Sequence, residues 1–381
     1  MTPRTEDELA EMVRAANAPL RIEGGGTRGM AARVEGEALS TAGLSGISLY
    51  EPGALTLVAQ AGTPLAEVEQ ALAKEGQRLA FEPMDHRGLL GSTGTPTIGG
   101  VVAGNVSGPR RIQLGACRDF LLGVRFVDGS GRAVKNGGRV MKNVTGYDLV
   151  KLMAGSHGTL GVLTEVSLKV LPAPAATGML VCEGLEDAPA VAALSAALGS
   201  PFEVTGAAHV PGPDGGAART MIRIEGFRNS VGYRLEELRK LLTAHGDFAP
   251  QIDPEKVLSA WEAVRDVRDF AEASGNVWRL SVKPSDAPGI VASLKGVQAI
   301  YDWGGGLVWL RVPEGFDDAR IRAAVDARGG HATLVRGRSN LPAFHPARGP
   351  TAALEAGLRA RFDPRGRLNP GLMGGGAWSS A

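Results

Sequence analysis

Three glycines followed by a threonine form the first group in the chain that could bind an anion. Gly24, Gly25, Gly26 and Thr27 come directly after residues 20–22 (LRI), which predict a short strand. Because glycine has no Cβ, consecutive glycines can turn several backbone N–H groups towards one phosphate, and the threonine hydroxyl adds a donor. The spacing therefore predicts a pyrophosphate-binding loop, with a tight turn that binds nothing as the alternative.

Two further blocks of small residues follow later in the chain. Residues 91–115 are almost all turn-forming types, and residues 155–161 are GSHGTLG. A loop as long as residues 91–115, inside a compact domain, is usually functional. Backbone donors dominate both blocks and polar side chains are sparse. This composition suits a large flat cofactor around which the backbone wraps.

The spacing Gly24-x-Gly26-x-x-Gly29 also matches the dinucleotide-binding fingerprint of a Rossmann fold. In that fold a crossover helix follows the glycines, and its N-terminus binds the pyrophosphate. Here the next residues, MAARVEGEAL, contain Gly36 and form a poor helix sequence. A Rossmann unit is therefore the less favoured alternative, because glycine-rich chains produce this pattern by chance.

Taken in order, the glycine blocks resemble the FAD-binding domain of the vanillyl-alcohol-oxidase and p-cresol-methylhydroxylase type, over about residues 20–175. EGGGT is similar to the first pyrophosphate loop of that family, TIGG to the second, and GSHGTLGVLTE to the segment beside the adenosine and flavin. RVMKNVTGYDLVKL and the C-terminal FDPRGRLNPG resemble, more narrowly, the FAD-binding subunit of bacterial glycolate oxidase. The resemblance implies an α+β fold. Two subdomains would clasp an extended FAD, and an α+β cap domain on an antiparallel sheet would cover the flavin.

The resemblance also implies roles for individual residues. The residues that would hold the pyrophosphate are Gly24, Gly25, Gly26 and Thr27. The residues expected at the pyrophosphate and flavin face are Thr97, Ile98, Gly99, Gly100, Asn105, Ser107 and Gly108. The residues expected at the adenosine-side wall are Gly158, Thr159, Gly161 and Val162, and Asn369 is expected to approach the flavin. For each of them, the alternative is a residue needed only for a turn.

The chain departs from the catalytic members of this superfamily in its histidines. The resemblance implies a cluster of histidines and a metal ion in the cap domain of those members. Here none of the six histidines forms a pair at the spacing of metal ligands. Asp85-His86 is an acidic-histidine string, but it precedes the second glycine block and lies outside the cap. We therefore expect no metal site. We also expect noncovalent FAD, because GGGTRG lacks a histidine and Cys117 fits a small buried residue better than a thioether anchor.

Other polar and aromatic residues leave alternatives open. Arg336 and Arg338 could bind a carboxylate in bidentate fashion or could be ordinary surface charges. The pairs Arg118-Asp119 and Tyr147-Asp148 favour a role in holding the fold, as an ion pair or a capped helix start. Tryptophans in the predicted cap fit either its core or an interface with a partner subunit. They are Trp261, Trp278, Trp303 and Trp309.

The composition indicates a globular chain that is rich in glycine. Of 381 residues, 54 are glycine, 44% are hydrophobic and 21% are charged, which excludes bulk disorder. The net charge of +1 gives no electrostatic reason to expect nucleic acid or an anionic membrane surface as a partner. Two cysteines, a polar N-terminus and no long apolar run favour a cytoplasmic protein. Any association with the inner face of a membrane would be through partners.

The elements that position the glycine blocks follow from periodicity and turn signals. Residues 5–17 predict a helix with a capping box at Thr5 and Glu8. Residues 55–61 predict a buried strand, followed by a helix with Thr63 as N-cap and Pro64 as first residue. Further strands are expected on both sides of the turn at 128–131, which predicts a hairpin, and at 162–170.

A segment rich in proline and alanine, residues 171–177, predicts a domain boundary. We expect an FAD-binding domain over 1–175, a cap domain over 176–335 and a C-terminal segment over 336–381 that returns to the FAD domain. The predicted cap helices lie near 187–198, 230–244, 255–272 and 316–328, and a last helix lies near 351–361. The predicted cap strands lie near 202–209, 219–226, 277–283, 307–312 and 331–336.

The resemblance therefore implies an FAD-binding subunit of a glycolate oxidase-like complex. Such a complex would oxidise glycolate to glyoxylate and pass electrons on through an iron–sulfur subunit, with a larger flavoprotein subunit as the other partner. Because the cap lacks the histidine cluster, this chain is not expected to be the main substrate-oxidising subunit, and no catalytic residue is assigned. Two alternatives stay open. One is a stand-alone FAD-dependent 2-hydroxy-acid dehydrogenase, and the other is a non-enzymatic scaffold subunit.

Overall fold

The structure is a computed structural model that describes residues 1–29, 34–139, 146–212 and 216–374. Residues 140–145 of the RVMKNVTGYDLVKL string lie outside the described residues, as do residues 30–33 of the segment after Gly29. In the part of the chain that is described, no helix has both the length and the apolar character needed to cross a membrane.

The N-terminal part of the chain, up to Pro172, combines small sheets with short helices. Its strands are β1 (Leu20–Glu23), β2 (Glu37–Ser40), β3 (Ile47–Glu51), β4 (Thr56–Gln60), β5 (Gln77–Arg78), β6 (Leu121–Val127), β7 (Ala133–Gly137), β8 (Val162–Lys169) and β9 (Leu171–Pro172). Its helices are α1 (Glu6–Ala15), α2 (Leu65–Lys74), α3 (Arg87–Leu90), α4 (Ile98–Ala103), α5 (Arg111–Leu114) and α6 (Leu149–Met153). Strands β1 and β2 pair in parallel, whereas β3, β4, β8, β6 and β7 form an antiparallel sheet in that order.

Both faces of the five-stranded sheet are covered, which fixes where the glycine loops lie. Val68 of α2 and Val101 of α4 belong to the larger core, together with Val166 of β8. Leu9 of α1 packs in a second cluster with Leu20 of β1. This second cluster anchors β1 beside the sheet, so the loop that follows β1 faces the start of α4.

The Rossmann alternative does not fit this arrangement. Although β1 and β2 are parallel, the described residues between them, 24–29 and 34–36, contain no helix. The five-stranded sheet is antiparallel, whereas a Rossmann unit is built on a mostly parallel sheet.

From Ala176 onwards, the chain forms a larger sheet, here named the cap sheet, which is made of β10 to β17. Its strands are β10 (Ala176–Glu183), β11 (Val204–Val210), β12 (Arg219–Gly226), β13 (Ala249–Gln251), β14 (Asn276–Ser281), β15 (Gln298–Asp302), β16 (Leu307–Val312) and β17 (His331–Arg336). The helices are α7 (Asp187–Leu198), α8 (Arg228–Leu241), α9 (Pro254–Asp266), α10 (Ala287–Ser293), α11 (Asp318–Asp326) and α12 (Gly349–Phe362). The strand order is β13-β10-β12-β11-β15-β16-β14-β17, and neighbouring strands are antiparallel. The predicted α+β fold class is confirmed.

One face of the cap sheet packs against the N-terminal part, and the other carries helices of its own. On β14, Val277 belongs to the core shared with the N-terminal part, whereas Trp278 and Leu280 pack with α10 and α11. Because side chains alternate along a strand, Arg279 lies on the same face as Val277, towards the N-terminal part. Nε1 of Trp303 extends this contact by donating a hydrogen bond to the carbonyl oxygen of Gly108 at 3.0 Å.

The cap tryptophans are buried, which distinguishes the two roles that the sequence left open. The buried residues are Trp261, Trp278, Trp303 and Trp309. Each belongs to a hydrophobic core cluster of this chain. The structure therefore supports core packing over an exposed interface.

Two predicted helix starts differ from the structure in detail. At α1, Oγ1 of Thr5 accepts a hydrogen bond from the N–H of Glu8 at 3.1 Å, as predicted. The Glu8 carboxylate, however, accepts from the N–H of Arg4, so the capping box is only half formed. Helix α2 begins at Leu65, so the prediction of Thr63 as its N-cap is wrong. The Thr63 hydroxyl instead donates to the carbonyl oxygen of Gln60 at 2.7 Å and closes the preceding turn.

Candidate functional site

A cleft of about 350 Å³ lies between the end of β1 and helix α4. Its wall includes these predicted cofactor-binding residues: Gly24, Gly25, Gly26, Thr27, Thr97, Gly99, Gly100, Gly158, Gly161 and Asn369. The three glycine blocks and the C-terminal segment, which are far apart in the sequence, therefore meet at one site.

The first two glycine blocks pack directly against each other in this wall. The N–H of Thr95 donates to the carbonyl oxygen of Gly25 at 3.0 Å. A Cβ added to Gly25 would lie 1.7 Å from the carbonyl oxygen of Thr95, and one added to Gly24 would lie 2.4 Å from Oγ1 of Thr97. Both positions therefore need glycine for close approach. Gly26 differs, because it has open space around it and a φ of +73° that favours glycine for the turn itself.

The backbone amides of the first loop remain available to a ligand. Within the described residues, no N–H group of residues 25–29 donates a hydrogen bond to the protein. Thr27 is buried in this loop, and its hydroxyl likewise makes no bond as a donor there. Successive amides of this kind at a concave wall form an anion-binding site. The loop thus fits a phosphate group, and the glycines leave room for its close approach.

The start of α4 contributes surface to the cleft, but its amides are already used. The N–H of Gly99 donates to the carbonyl oxygen of Ala61 at 2.8 Å, and the N–H of Gly100 donates to Oγ1 of Thr97 at 3.3 Å. A Cβ on Gly99 would lie 2.6 Å from that of Ala61, and one on Gly100 would lie 2.8 Å from Nη1 of Arg28. These glycines let the helix approach the neighbouring strand and the first loop.

The remaining predicted site residues do not line the cleft. They are Ile98, Asn105, Ser107, Gly108, Thr159 and Val162. Oδ1 of Asn105 accepts from the N–H of Arg118 at 3.0 Å, and Oγ of Ser107 accepts from the N–H of Cys117 at 2.9 Å. Thr159 bonds within its own turn, while Ile98 and Val162 are fully buried. Asn105, Ser107 and Thr159 therefore make structural contacts within the chain, while the roles of all six residues towards FAD stay predictions.

Asn369 joins three segments at the cleft. Its Oδ1 accepts from the N–H of Ile22 at 2.8 Å, and its Nδ2 donates to the carbonyl oxygen of His157 at 2.8 Å. Its own N–H donates to the carbonyl oxygen of Leu20 at 3.0 Å, which brings the C-terminal segment back to β1. The φ of Asn369 is +45°, a region that asparagine adopts more readily than most residues. These bonds fix the position of the Asn369 amide in the wall of the cleft.

Arginine and histidine side chains near the cleft were missed by sequence reasoning. Arg28 and His157 line the cleft, and Nε of Arg28 donates to Nδ1 of His86 at 3.4 Å. Burial, assisted by the charge of Arg28, lowers the pKa of His86 to about 3 and that of His157 to about 4. Burial also lowers the pKa of Arg28 to about 10, so the guanidinium stays charged at neutral pH. The available signal was the arginine in GGGTRG, a cation within an anion-binding loop.

The arginine pair near the end of the cap sheet does not form a carboxylate site. The Arg336 guanidinium donates to the backbone carbonyl oxygens of Leu89, Phe270, Ala271 and Ala273. It thereby ties β17 to α3 and is not available to a ligand, whereas Arg338 is exposed.

The polar pairs and Cys117 have local roles. Oδ2 of Asp119 accepts from the N–H of Ala116 at 2.9 Å, and Oδ1 of Asp148 accepts from the N–H of Lys151 at the start of α6 at 3.1 Å. Cys117 is buried and burial raises the pKa of its thiol. Among the described residues, no cluster of three histidine, cysteine, aspartate or glutamate side chains could hold a metal ion.

Comparison with known proteins gives a consistent result. The FAD binding domain family matches residues 1–137. The chain is 37% identical over 371 residues to glycolate oxidase subunit GlcE of Escherichia coli (strain K12), a match that spans 96% of each protein. It is 31% identical over 176 residues to D-lactate dehydrogenase of Archaeoglobus fulgidus, which covers 45% of this chain and 38% of that protein. An alkyldihydroxyacetonephosphate synthase structure shares the fold, with a TM-score of 0.69 at 18% identity over 97% of this chain and 76% of that one.

The fold, the cleft and these matches define an FAD-dependent oxidoreductase with a PCMH-type FAD-binding domain. Within that class, the chain belongs to the family of the glycolate oxidase subunit GlcE. The resemblance predicted from the glycine blocks and the C-terminal string is confirmed, as is FAD as the cofactor. The roles of individual residues towards FAD stay predictions.

Proposed function

We propose that this chain is an FAD-binding subunit of a glycolate oxidase-like complex and that it holds FAD noncovalently. The cleft carries this proposal, because the N–H groups of residues 25–29 have no acceptor among the described residues and this loop lines a cleft rich in glycine. The family match adds support, since it spans 96% of a glycolate oxidase subunit.

The residues of the cleft would divide the work of holding FAD. The amides of residues 25–29 and the Thr27 hydroxyl would bind the pyrophosphate, and the charge of Arg28 favours an anion there. Gly158 and Gly161 would let the backbone of the third block approach the cofactor closely. When bound, FAD supplies an acceptor for two electrons from a substrate C–H bond. Neither His86 nor His157 adds charge at neutral pH, so the positive charge beside the loop comes from arginine.

We further propose that the complex is cytoplasmic and contains a larger flavoprotein subunit and an iron–sulfur subunit. The complex would oxidise glycolate to glyoxylate and pass the electrons on through the iron–sulfur subunit. The name of the relative, a glycolate oxidase subunit, supports an assembly of several chains. The larger flavoprotein subunit is proposed as the main site of substrate oxidation.

The second candidate is a stand-alone FAD-dependent 2-hydroxy-acid dehydrogenase. The similarity to a D-lactate dehydrogenase favours it, but that match covers only 38% of the relative. A non-enzymatic scaffold is disfavoured, because the first loop keeps its amides and its open space.

Purification of the chain by itself tests FAD binding. We expect a yellow protein with about one FAD per chain, released intact by denaturation because no covalent bond holds it. A colourless protein that takes up no added FAD would overturn the proposal. Turnover of glycolate with an artificial dye acceptor by the isolated chain would favour the stand-alone dehydrogenase. Activity that requires co-purified partner subunits would support the complex.

A further inference from the structure

Arg359 of α12 bonds to the backbone of the C-terminal turn, a name used here for residues 368–373. Helix α12, which is described throughout, has no buried residue, and Arg359 is half-buried. Nη1 of Arg359 donates to the carbonyl oxygen of Leu372 at 2.6 Å. Its Nη2 donates to the carbonyl oxygens of Leu368 at 3.1 Å and of Asn369 at 2.8 Å. One guanidinium therefore gathers three carbonyl oxygens of this turn.

Two residues of the C-terminal turn lie in the wall of the cleft. Asn369 and Leu372 both line it, and both are buried. Leu372 adds an apolar side chain to a wall that also contains Ile22 and Leu163. A small-molecule site typically combines apolar surface of this kind with a few polar groups. The position of the turn therefore sets the shape of this side of the cleft.

The backbone of the C-terminal turn needs support from its surroundings. Asn369, Gly371 and Met373 have φ values of +45°, +78° and +57°. Glycine and asparagine adopt this left-handed region readily, whereas methionine rarely does. Such a conformation persists only where neighbouring contacts hold it. Two of the three carbonyl groups that Arg359 binds belong to Asn369 itself and to Leu372, the residue directly before Met373.

The other ties to the C-terminal turn hold its beginning. The N–H of Leu368 donates to Oδ2 of Asp363 at 2.7 Å, and the N–H of Asn369 donates to the carbonyl oxygen of Leu20 at 3.0 Å. The N–H of Leu372 donates to the carbonyl oxygen of Asn369, within the turn. Among the described residues, the hydrogen bond from Arg359 is the one that ties Leu372 to another part of the chain. Arg359 thus holds the end of the turn.

We propose that Arg359 is a positioning residue for FAD, because it holds the C-terminal turn so that Asn369 and Leu372 complete the cleft wall. Arg359 does not itself line the cleft, so it acts through the turn. A guanidinium presents several N–H donors in a fixed plane, which suits three carbonyl oxygens better than a single ammonium group does. The inference rests on the proposed function in that FAD occupies the cleft. It gives the exposed helix α12 a part in holding the cofactor.

The FAD affinity of the full chain, measured by fluorescence titration of the apoprotein, tests the proposal. We expect Arg359→Met to bind FAD at least about tenfold more weakly than the unaltered chain. Arg359→Lys should recover part of the affinity, because its ammonium group can still donate to some of the carbonyl oxygens. Arg361→Met removes an exposed arginine from the same helix and should bind FAD normally.

Arg365→Met separates positioning from a general loss of stability. The Arg365 guanidinium also donates to three backbone carbonyl oxygens, those of Val13, Arg14 and Gly129, and none of these residues lines the cleft. We expect Arg365→Met to have a lower free energy of unfolding, measured in urea, but an FAD affinity close to that of the unaltered chain. Equal losses of FAD affinity in Arg359→Met and Arg365→Met would overturn the proposal, because weaker binding would then follow from lower stability.

Equal FAD affinity in Arg359→Met and Arg361→Met would also overturn it. Should Arg359→Met fail to fold, Arg359→Lys is compared with Arg365→Met instead, and a larger loss of FAD affinity in Arg359→Lys would support the positioning role. If the unaltered chain takes up no FAD, the proposed function fails, and amide hydrogen exchange of the FAD-free chain tests Arg359 separately. Faster exchange at residues 368–373 in Arg359→Met than in Arg361→Met would support the proposal, and equal exchange would overturn it.

Discussion

Glu82 and Arg223 form a buried, bidentate ion pair between the N-terminal part and the cap sheet. Nη1 and Nη2 of Arg223 donate to Oε1 and Oε2 of Glu82 at 3.0 and 2.9 Å. Arg110 lies 2.8 Å from Glu82 and 2.8 Å from Glu225, which extends the network along β12. Burial alone would raise the pKa of Glu82, but the guanidinium groups of Arg223 and Arg110 hold it below its usual value. The network fixes how the cap sheet sits on the N-terminal part.

Removing one partner of this pair should be costly. Arg223→Met leaves the buried Glu82 carboxylate with Arg110 alone, and we expect the free energy of unfolding to fall by about 3 kcal/mol. Urea unfolding at neutral pH measures the change. Arg239→Met is the matched control, because it breaks an exposed pair with Glu236 and should leave the stability nearly unchanged. Equal losses in the two variants would show that the network does not hold the cap sheet in place.

The close approach of the two glycine loops predicts a loss of FAD affinity in Gly25→Ala. The new Cβ would lie 1.7 Å from a backbone oxygen of Thr95, so the loops must separate and the amides of residues 25–29 must move. We expect FAD to bind at least about tenfold more weakly, measured by fluorescence titration of the apoprotein. Gly232→Ala is the control, because nothing lies near its Cβ on α8. It should bind FAD normally and gain up to about 1 kcal/mol of stability. Unchanged FAD affinity in Gly25→Ala would contradict this account of the loops.

The glycine blocks could be recognised from sequence because their residue types and order are themselves the signal. The sequence could not show why Gly24 and Gly25 must be glycine, because the obstructing atoms belong to Thr95 and Thr97, far away in the chain. The surroundings of Arg279 could not be predicted for a similar reason. Its neighbours are set by the pairing of β14 in the cap sheet and by contact with Trp303, which no local pattern reveals.

The elements that sequence reasoning missed have weak local signals. β10 begins at Ala176, directly after a proline-rich segment that predicts a linker. β13 contains Pro250, but it is an edge strand, where a missing N–H is tolerated. Two further missed elements of the cap, β15 and α10, are short. All four are stabilised by the cap sheet and its helices, so tertiary packing outweighs their composition.

Asn369 should be needed for the shape of the cleft. Asn369→Ala removes the bonds to Ile22 and His157 and places alanine at a φ of +45°, so we expect a loss of about 1–3 kcal/mol in stability. We also expect weaker FAD binding, because the third glycine block loses its tie to β1. The free energy of unfolding and the FAD affinity are measured on the same preparation. Asn340→Ala, at an exposed position, should change neither. If FAD affinity stays normal in Asn369→Ala, the C-terminal segment does not shape the cleft.

Asp302 predicts a pH dependence of stability that can be removed by one substitution. Burial raises the pKa of Asp302 to about 7, whereas an aspartate in an unfolded chain has a pKa of about 3.9. Between these values the folded state holds a proton that the unfolded state has lost. The contribution of Asp302 to the free energy of unfolding therefore falls as pH rises from about 4 to about 7, and is constant above that.

Asp302→Asn keeps an oxygen that can accept from the N–H of Trp303 but cannot ionise. We expect the gain in free energy of unfolding of Asp302→Asn over the unaltered chain to be larger at pH 8 than at pH 5. The reason is that the unaltered chain must bury a charge at the higher pH. Urea unfolding at both pH values measures this difference. Asp7→Asn, which alters an exposed carboxyl on α1, should show no such gain. If Asp302→Asn and the unaltered chain respond to pH in parallel, the Asp302 carboxyl ionises as freely in the fold as in the unfolded chain.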